Sequence, residues 1–151
     1  DLPPSYAGPG ARVIEAFDGS PAGAAVATIL SGAWESGITS KRVKALVFGV
    51  VARGLGCAAC EAEAAEALRH EAWTDAEIEH VMTYLTSKKL DPFELKVLRF
   101  ARETVRYQTR RVQELAQNFA RGLEREVLIE IIGLVSYANG LARMSILLHR
   151  C

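Results

Sequence analysis

Apolar residues recur along this chain every three or four positions, the spacing of one face of an α-helix. Over residues 41–53, Val43, Leu46, Val47, Val50 and Val51 fall on one such stripe, and Ser40 stands before it as an N-cap. The reading extends to the whole chain. Residues 1–10 hold three prolines and two glycines and read as an irregular arm, followed by a short helix over 11–17. Ser20 and Pro21 supply the cap and first residue of a helix to about residue 36, ended by Gly37. The glycines at 54 and 56 break the pattern before a helix over 57–71. Thr74-Asp75-Ala76-Glu77 has capping-box spacing and opens a helix to about residue 86. Asp91-Pro92-Phe93-Glu94 repeats the device for a helix to about residue 107. A shorter helix over 109–120, a break at Gly122 and a long helix over 124–149 complete the series. No stretch alternates in the manner of a half-buried strand, so the predicted fold is all-α, a bundle joined by short turns. Residues 46–56 and 130–140 echo each other in glycine spacing, which reads as coincidence unless they form equivalent hairpins.

At 151 residues, the chain is long enough for one domain with a sizeable core. The expected division is an arm with its short helix at 1–19 and a helical domain at 20–151. Eighteen basic residues balance eighteen acidic ones, which argues against nucleic acid or an anionic membrane surface as the main partner. The most apolar stretch, 127–148, is interrupted by Glu130, Asn139 and Arg143. Three cysteines are an odd count for a secreted disulfide framework, so a reducing cytoplasm is expected. The sequence opens on Asp1 rather than methionine, which leaves room for an upstream segment.

Two of the three cysteines lie in Gly56-Cys57-Ala58-Ala59-Cys60, at the start of a predicted helix. Two thiols at that spacing lie near bonding distance, and the helix N-terminus favours the thiolate. A dithiol/disulfide couple is one reading; two small buried apolar residues is the other. The βαβ context of a thioredoxin-like motif is missing.

Residues 41–78 resemble the core of the alkyl hydroperoxidase D/carboxymuconolactone decarboxylase-like family. The apolar helix KRVKALVFGVVARG, the turn LGCAAC and the helix start TDAEIEHV follow one another as in that family. Farther on, Asp91-Pro92-Phe93-Glu94 through Ala101 is similar to another of its helices. Glu126 to Glu130, with Asn139 and Arg143, is similar to its last. The resemblance covers about residues 20–149. It implies a helical bundle that assembles as a trimer or a multiple of one. It also implies a peroxidase-type oxidoreductase, an antioxidant acting on peroxides or a partner peroxiredoxin, with a dithiol as electron donor and no cofactor. Cys60 matches the family's attacking cysteine and Cys57 its resolving partner, so both are expected to be catalytic, linked to each other on oxidation.

Two departures weaken that activity. The family's proton-transfer glutamate stands twelve residues before the first cysteine, here Ala45, and its histidine four after the second, here Ala64. Neither alanine moves a proton, and general acid–base help is worth about 10²–10⁴ in rate. Glu61, Glu63 and Glu66 read as a solvated acidic face. Glu130 sits in an apolar run, where a carboxylate needs a partner: it either faces the cysteines as an auxiliary base or pairs with an arginine such as Arg143, the favoured reading. His70 is nearly three turns beyond Cys60, and His80 reads as a surface residue. A zinc centre of Cys57, Cys60, His149 and Cys151 would have an unusual H-x-C half, so no metal is expected. Arg99, Arg102 and Arg106 share a helix face, read as solvated or facing another subunit; Trp34 and Trp73 read as packing residues. The leading function is thiol–disulfide redox chemistry. The alternative is a catalytically impaired domain kept for oligomerisation or for binding a ligand or partner.

Overall fold

The structure is a computed structural model and describes residues 8–17 and 19–151. Most of the predicted arm, residues 1–7, lies outside the described residues, as does Asp18. All regular structure among the described residues is helical: α1 (Ala11–Ala16), α2 (Pro21–Glu35), α3 (Lys41–Leu55), α4 (Ala58–His70), α5 (Asp75–Tyr84), α6 (Pro92–Thr104), α7 (Thr109–Ala120) and α8 (Arg125–Leu147).

Local chemistry sets most of these boundaries. The Ser20 and Ser40 hydroxyls accept from the backbone N–H of Gly23 and Val43, satisfying donors that a helix start leaves unpaired. Thr74 with Glu77, and Asp91 with Glu94, form complete capping boxes. The echo between 46–56 and 130–140 has no structural counterpart. Gly56 ends α3 in the left-handed conformation at φ +77°, whereas Gly140 lies inside α8.

α3 is the central helix. Every residue from Val43 to Ala52 is buried, and α4, α6 and α8 all pack against it. Such all-round burial requires close neighbours: a Cβ on Gly49 would come within 3.3 Å of the Ala64 Cβ and collide with Met82. Lys44 is the polar exception on this helix. Its ammonium donates to the Trp34 carbonyl at 3.1 Å and to that of Ser36, so a buried cation closes the C-terminal end of α2. α1 belongs to the same core, since Val13 and Ile14 are 1% and 4% exposed within it. Trp73 is buried, with the Lys89 ammonium over its ring, while Trp34 is half-buried beneath Lys41.

α8 lies across α3 with one face inward, through Ile131, Leu134, Val135, Ala138, Leu141, Ala142 and Ser145. Among the described residues it is the one helix long and apolar enough to cross a membrane. Its outer face leaves Ile129, Ile132, Tyr137 and Ile146 exposed.

Candidate functional site: a three-cysteine cluster

The cysteine site is built where α3 hands over to α4 and α8 ends beside them. With Gly56 turned left-handed, its N–H and that of Cys57 reach back to the carbonyls of Arg53 and Ala52. Cys57 then occupies the N-cap position of α4 in extended conformation. Its carbonyl accepts from Glu61 N–H while its side chain caps nothing. The sulfur is thereby free to point inward. Cys57 is completely buried in a small apolar cluster with Cys60, Ala52, Ala142 and Leu55. Cys60 lies in the first turn of α4, as its spacing predicts.

The pairing of these cysteines corrects the sequence expectation. Cys57 is bonded to Cys151, 94 residues away, and not to Cys60. Cys60 keeps a free, buried thiol 2.8 Å from the Cys57 sulfur. The physical reason lies in α8. Its last turns bring the backbone after Leu147 back over the start of α4, which puts the Cys151 Cα only 5.0 Å from that of Cys57. Cys151 itself is exposed.

A helix start favours the thiolate, yet without the relay groups an ordinary thiol is expected at Cys60; burial pushes it above that ordinary value. The Ser145 hydroxyl, 3.2 Å from the Cys60 sulfur and fully buried, pulls the other way. Glu63 adds to the rise and Arg12 opposes it. Burial is the largest of these influences, so the net direction is upward.

Glu61 and Glu63 are not a solvated face. Glu63 accepts from Gly10 N–H at 2.7 Å and from the Arg12 guanidinium at 2.8 Å, fastening the start of α1 to α4. Arg12 donates in turn to the Arg150 carbonyl at 2.9 Å, so the segment carrying Cys151 is held by the same arginine. Glu61 is bound by Arg53, whose guanidinium also reaches Glu79. Glu66 alone of the three is well exposed, beside Arg69.

The remaining sequence candidates lie elsewhere. Glu130 and Ser145 are fifteen residues apart on one helix, a rise of about 22 Å, so Glu130 is not beside Cys60. Its distance from Arg143 along the same helix, about 20 Å, also removes the favoured ion pair. Glu130 instead lines a groove between α2 and α8, with one carboxylate oxygen buried and without a hydrogen-bond partner among the described residues, while its charge acts on the Lys44 ammonium. Ala45 and Ala64 are both fully buried. His70 is a surface residue, and His80 lies against the Tyr84 ring. Arg102 is no part of a solvated stripe: it turns inward and donates to the carbonyls of Val50 and Met82.

The three cysteine sulfurs all lie within 4.8 Å of one another. Reduced, they form a soft donor set of the kind that binds zinc or copper(I), and His149 is not part of it. Oxidised, two of the three have no thiolate to offer. Ser145 and Arg12 are the site residues that sequence reasoning missed. Ser145 carried a faint signal as a small polar residue in an apolar run. The chain matches no family model, no curated protein and no solved structure.

Proposed function

We propose that this chain is a thiol–disulfide oxidoreductase in which Cys57 is the central sulfur and Cys60 the attacking thiol. The observation that carries this reading is the 2.8 Å approach of the Cys60 thiol to a sulfur already in a disulfide. A structural bridge needs no third thiol against it, whereas a thiol so placed is positioned to attack the bridge. The reaction is the transfer of two electrons and two protons from a dithiol donor to the protein disulfide. The donor leaves as its disulfide, and the reduced protein passes the electrons to an acceptor disulfide or peroxide. In a reducing cytoplasm a bridge of this kind would be transient and catalytic.

The helical order and the cysteine spacing keep the alkyl hydroperoxidase D-like resemblance as part of the proposal, including a peroxide or a peroxiredoxin-type partner as acceptor. Ala45 and Ala64 make peroxide the poorer of the two. The exposed apolar residues of α8 support self-assembly, which light scattering tests directly; a monodisperse monomer at micromolar concentration refutes it.

The decisive assay follows oxidation of a small dithiol such as dihydrolipoamide, with a low-molecular-weight disulfide as acceptor. Turnover that disappears in Cys57→Ser is the expected result. A rate no greater than that of Cys57→Ser refutes the reading.

One observation favours the binding-module alternative. The groove between α2 and α8 has a volume of about 620 Å³ and is lined by Ile29, Ile38, Ile129 and Tyr137, with the Glu130 carboxylate in its wall. An apolar ligand carrying one hydrogen-bond donor fits that chemistry. Ligand-dependent stabilisation lost in Glu130→Gln would establish it.

A further inference from the structure

We infer that Cys151 is the third member of a disulfide relay: Cys60 displaces it from Cys57, and Cys151 is the sulfur at which the buried pair meets the outside, taking a donor thiolate while it is bridged to Cys57 and attacking an external disulfide once it is released. The inference rests on the oxidoreductase reading and adds the order of the three sulfurs to it.

Accessibility sets that order. Cys57 is fully buried and Cys60 is 9% exposed, so neither sulfur meets an external thiol directly. Cys151 is exposed, so it is the end of the bridge that a donor reaches. Internally the Cys60 sulfur is 2.8 Å from Cys57, and Cys57 is therefore the sulfur it attacks. A thiol held against the central sulfur and a leaving group at an exposed residue is an arrangement in which intramolecular exchange can run in either direction.

The step balances without an outside oxidant or reductant. The Cys60 thiol gives its proton to solvent, and its sulfur forms a bond to Cys57. The Cys57–Cys151 bond breaks, its electron pair leaves on the Cys151 sulfur, and that sulfur takes up a proton. One disulfide is exchanged for another, and the chain gains a free thiol at its exposed position. The reverse attack by Cys151 on Cys57 restores the starting bridge.

The segment that must move is held by separable contacts. Arg12 donates to the Arg150 carbonyl, and Arg150 N–H donates to the Ser145 carbonyl at 2.8 Å. His149 between them has a left-handed backbone, φ +53°, at the end of the α8 hydrogen-bond ladder. Ser145 therefore touches both halves of the relay, through its hydroxyl to Cys60 and its carbonyl to the Cys151 segment.

The test is native alkylation of the oxidised chain with N-ethylmaleimide, quenched in acid and followed by peptide mapping of label and bridge. The expected product carries the label on Cys151 and a Cys57–Cys60 bridge, because alkylation traps the released thiol. Label confined to Cys60 with the Cys57–Cys151 bridge intact overturns the relay. In Cys60→Ser no label should enter Cys151; labelling there would also overturn it, since the thiol would be free without displacement. In Cys151→Ser the Cys57–Cys60 bridge should form, and its reduction by dihydrolipoamide should be slower than that of the wild-type bridge for want of an exposed sulfur. Unchanged reduction would show that Cys151 is not the outlet. Label on Cys151 in a chain that turns over no dithiol supports the relay and refutes the oxidoreductase reading alone.

Discussion

Ser145→Ala is the sharpest single perturbation of the cysteine site, because it removes one hydroxyl beside Cys60 and almost no volume. The hydroxyl lies 3.2 Å from the sulfur and favours the thiolate against the burial that disfavours it. Hydrogen bonds to charged groups contribute about 1.5–3 kcal/mol, and sulfur as the partner argues for the lower end. Since about 1.4 kcal/mol is a factor of ten, the variant should hold about tenfold less thiolate at neutral pH. A more basic thiolate is also a better nucleophile, and a Brønsted slope of about 0.4–0.5 returns about threefold. The net result is labelling by iodoacetamide about three- to fourfold slower at pH 7. The assay is the pH profile of that labelling in a background carrying Cys57→Ser and Cys151→Ser, which leaves Cys60 the only thiol. The midpoint should move to higher pH and the alkaline plateau should rise, so that the two profiles cross. A uniform change at every pH would mean that Ser145 governs access rather than ionisation, and the argument for its role would fail.

Three further outcomes follow from the same contacts. Ala64→His, with or without Ala45→Glu, should not restore peroxide chemistry: both alanines are fully buried and Ala64 packs close to Gly49, so the imidazole overpacks the core by about 1–3 kcal/mol, read as a lower Tm. A stable double variant with fast peroxide turnover would refute this. Glu94→Ala should cost about 2–3 kcal/mol in a denaturant titration, because it breaks a capping box and leaves Arg42 without its nearly buried partner; the partial exposure of Arg42 holds the loss below that of a fully buried pair. Glu77 and Glu79 titrate at about 2 in the folded chain, held down chiefly by hydrogen bonds from Lys89 and Arg53 respectively. A lowered folded value contributes stability above the ordinary carboxylate value of 4.5 and loses it as pH falls towards 2. The Tm gap between wild type and Glu77→Gln/Glu79→Gln should therefore be open at pH 7 and close by about pH 2, and a gap independent of pH would contradict the assignment.

The helices were legible because their signals are local. Ser20, Ser40, Thr74 and Asp91 cap the helices they precede, and each needs only the next three residues to do so. The position of Cys60 in a first turn was legible for the same reason. What the cysteines do to one another was not. The partner of Cys57 depends on where α8 ends relative to α4, a relation between segments 94 residues apart. Glu63 reads as a surface residue until Arg12, 51 residues earlier, is brought against it. Lys44 looks like an ordinary basic residue beside an apolar stripe, yet all-round burial of α3 turns it inward onto the carbonyls of Trp34 and Ser36. Periodicity tells which stripe is buried; it does not tell when the opposite stripe is buried as well.

The two departures from the peroxidase pattern and the third cysteine bear on the same chemical question. Attack on a peroxide expels an alkoxide or hydroxide, a poor leaving group that needs a proton in the transition state. A site without a glutamate or histidine in the relay positions forgoes about 10²–10⁴ of rate there. Attack on a disulfide expels a thiolate, whose ordinary pKa of about 8.5 makes it a competent leaving group with no acid catalyst. A site that lacks such proton-transfer groups is therefore penalised far more in peroxide reduction than in exchange. A buried, weakly ionised Cys60 is slow towards any external oxidant, but against Cys57 it needs no encounter, since the reacting sulfur is held beside it; fixed proximity compensates for a small thiolate fraction. The surroundings of Cys60 suit an intramolecular nucleophile better than a peroxide-reducing one, so under the proposed function the acceptor to seek first is a disulfide.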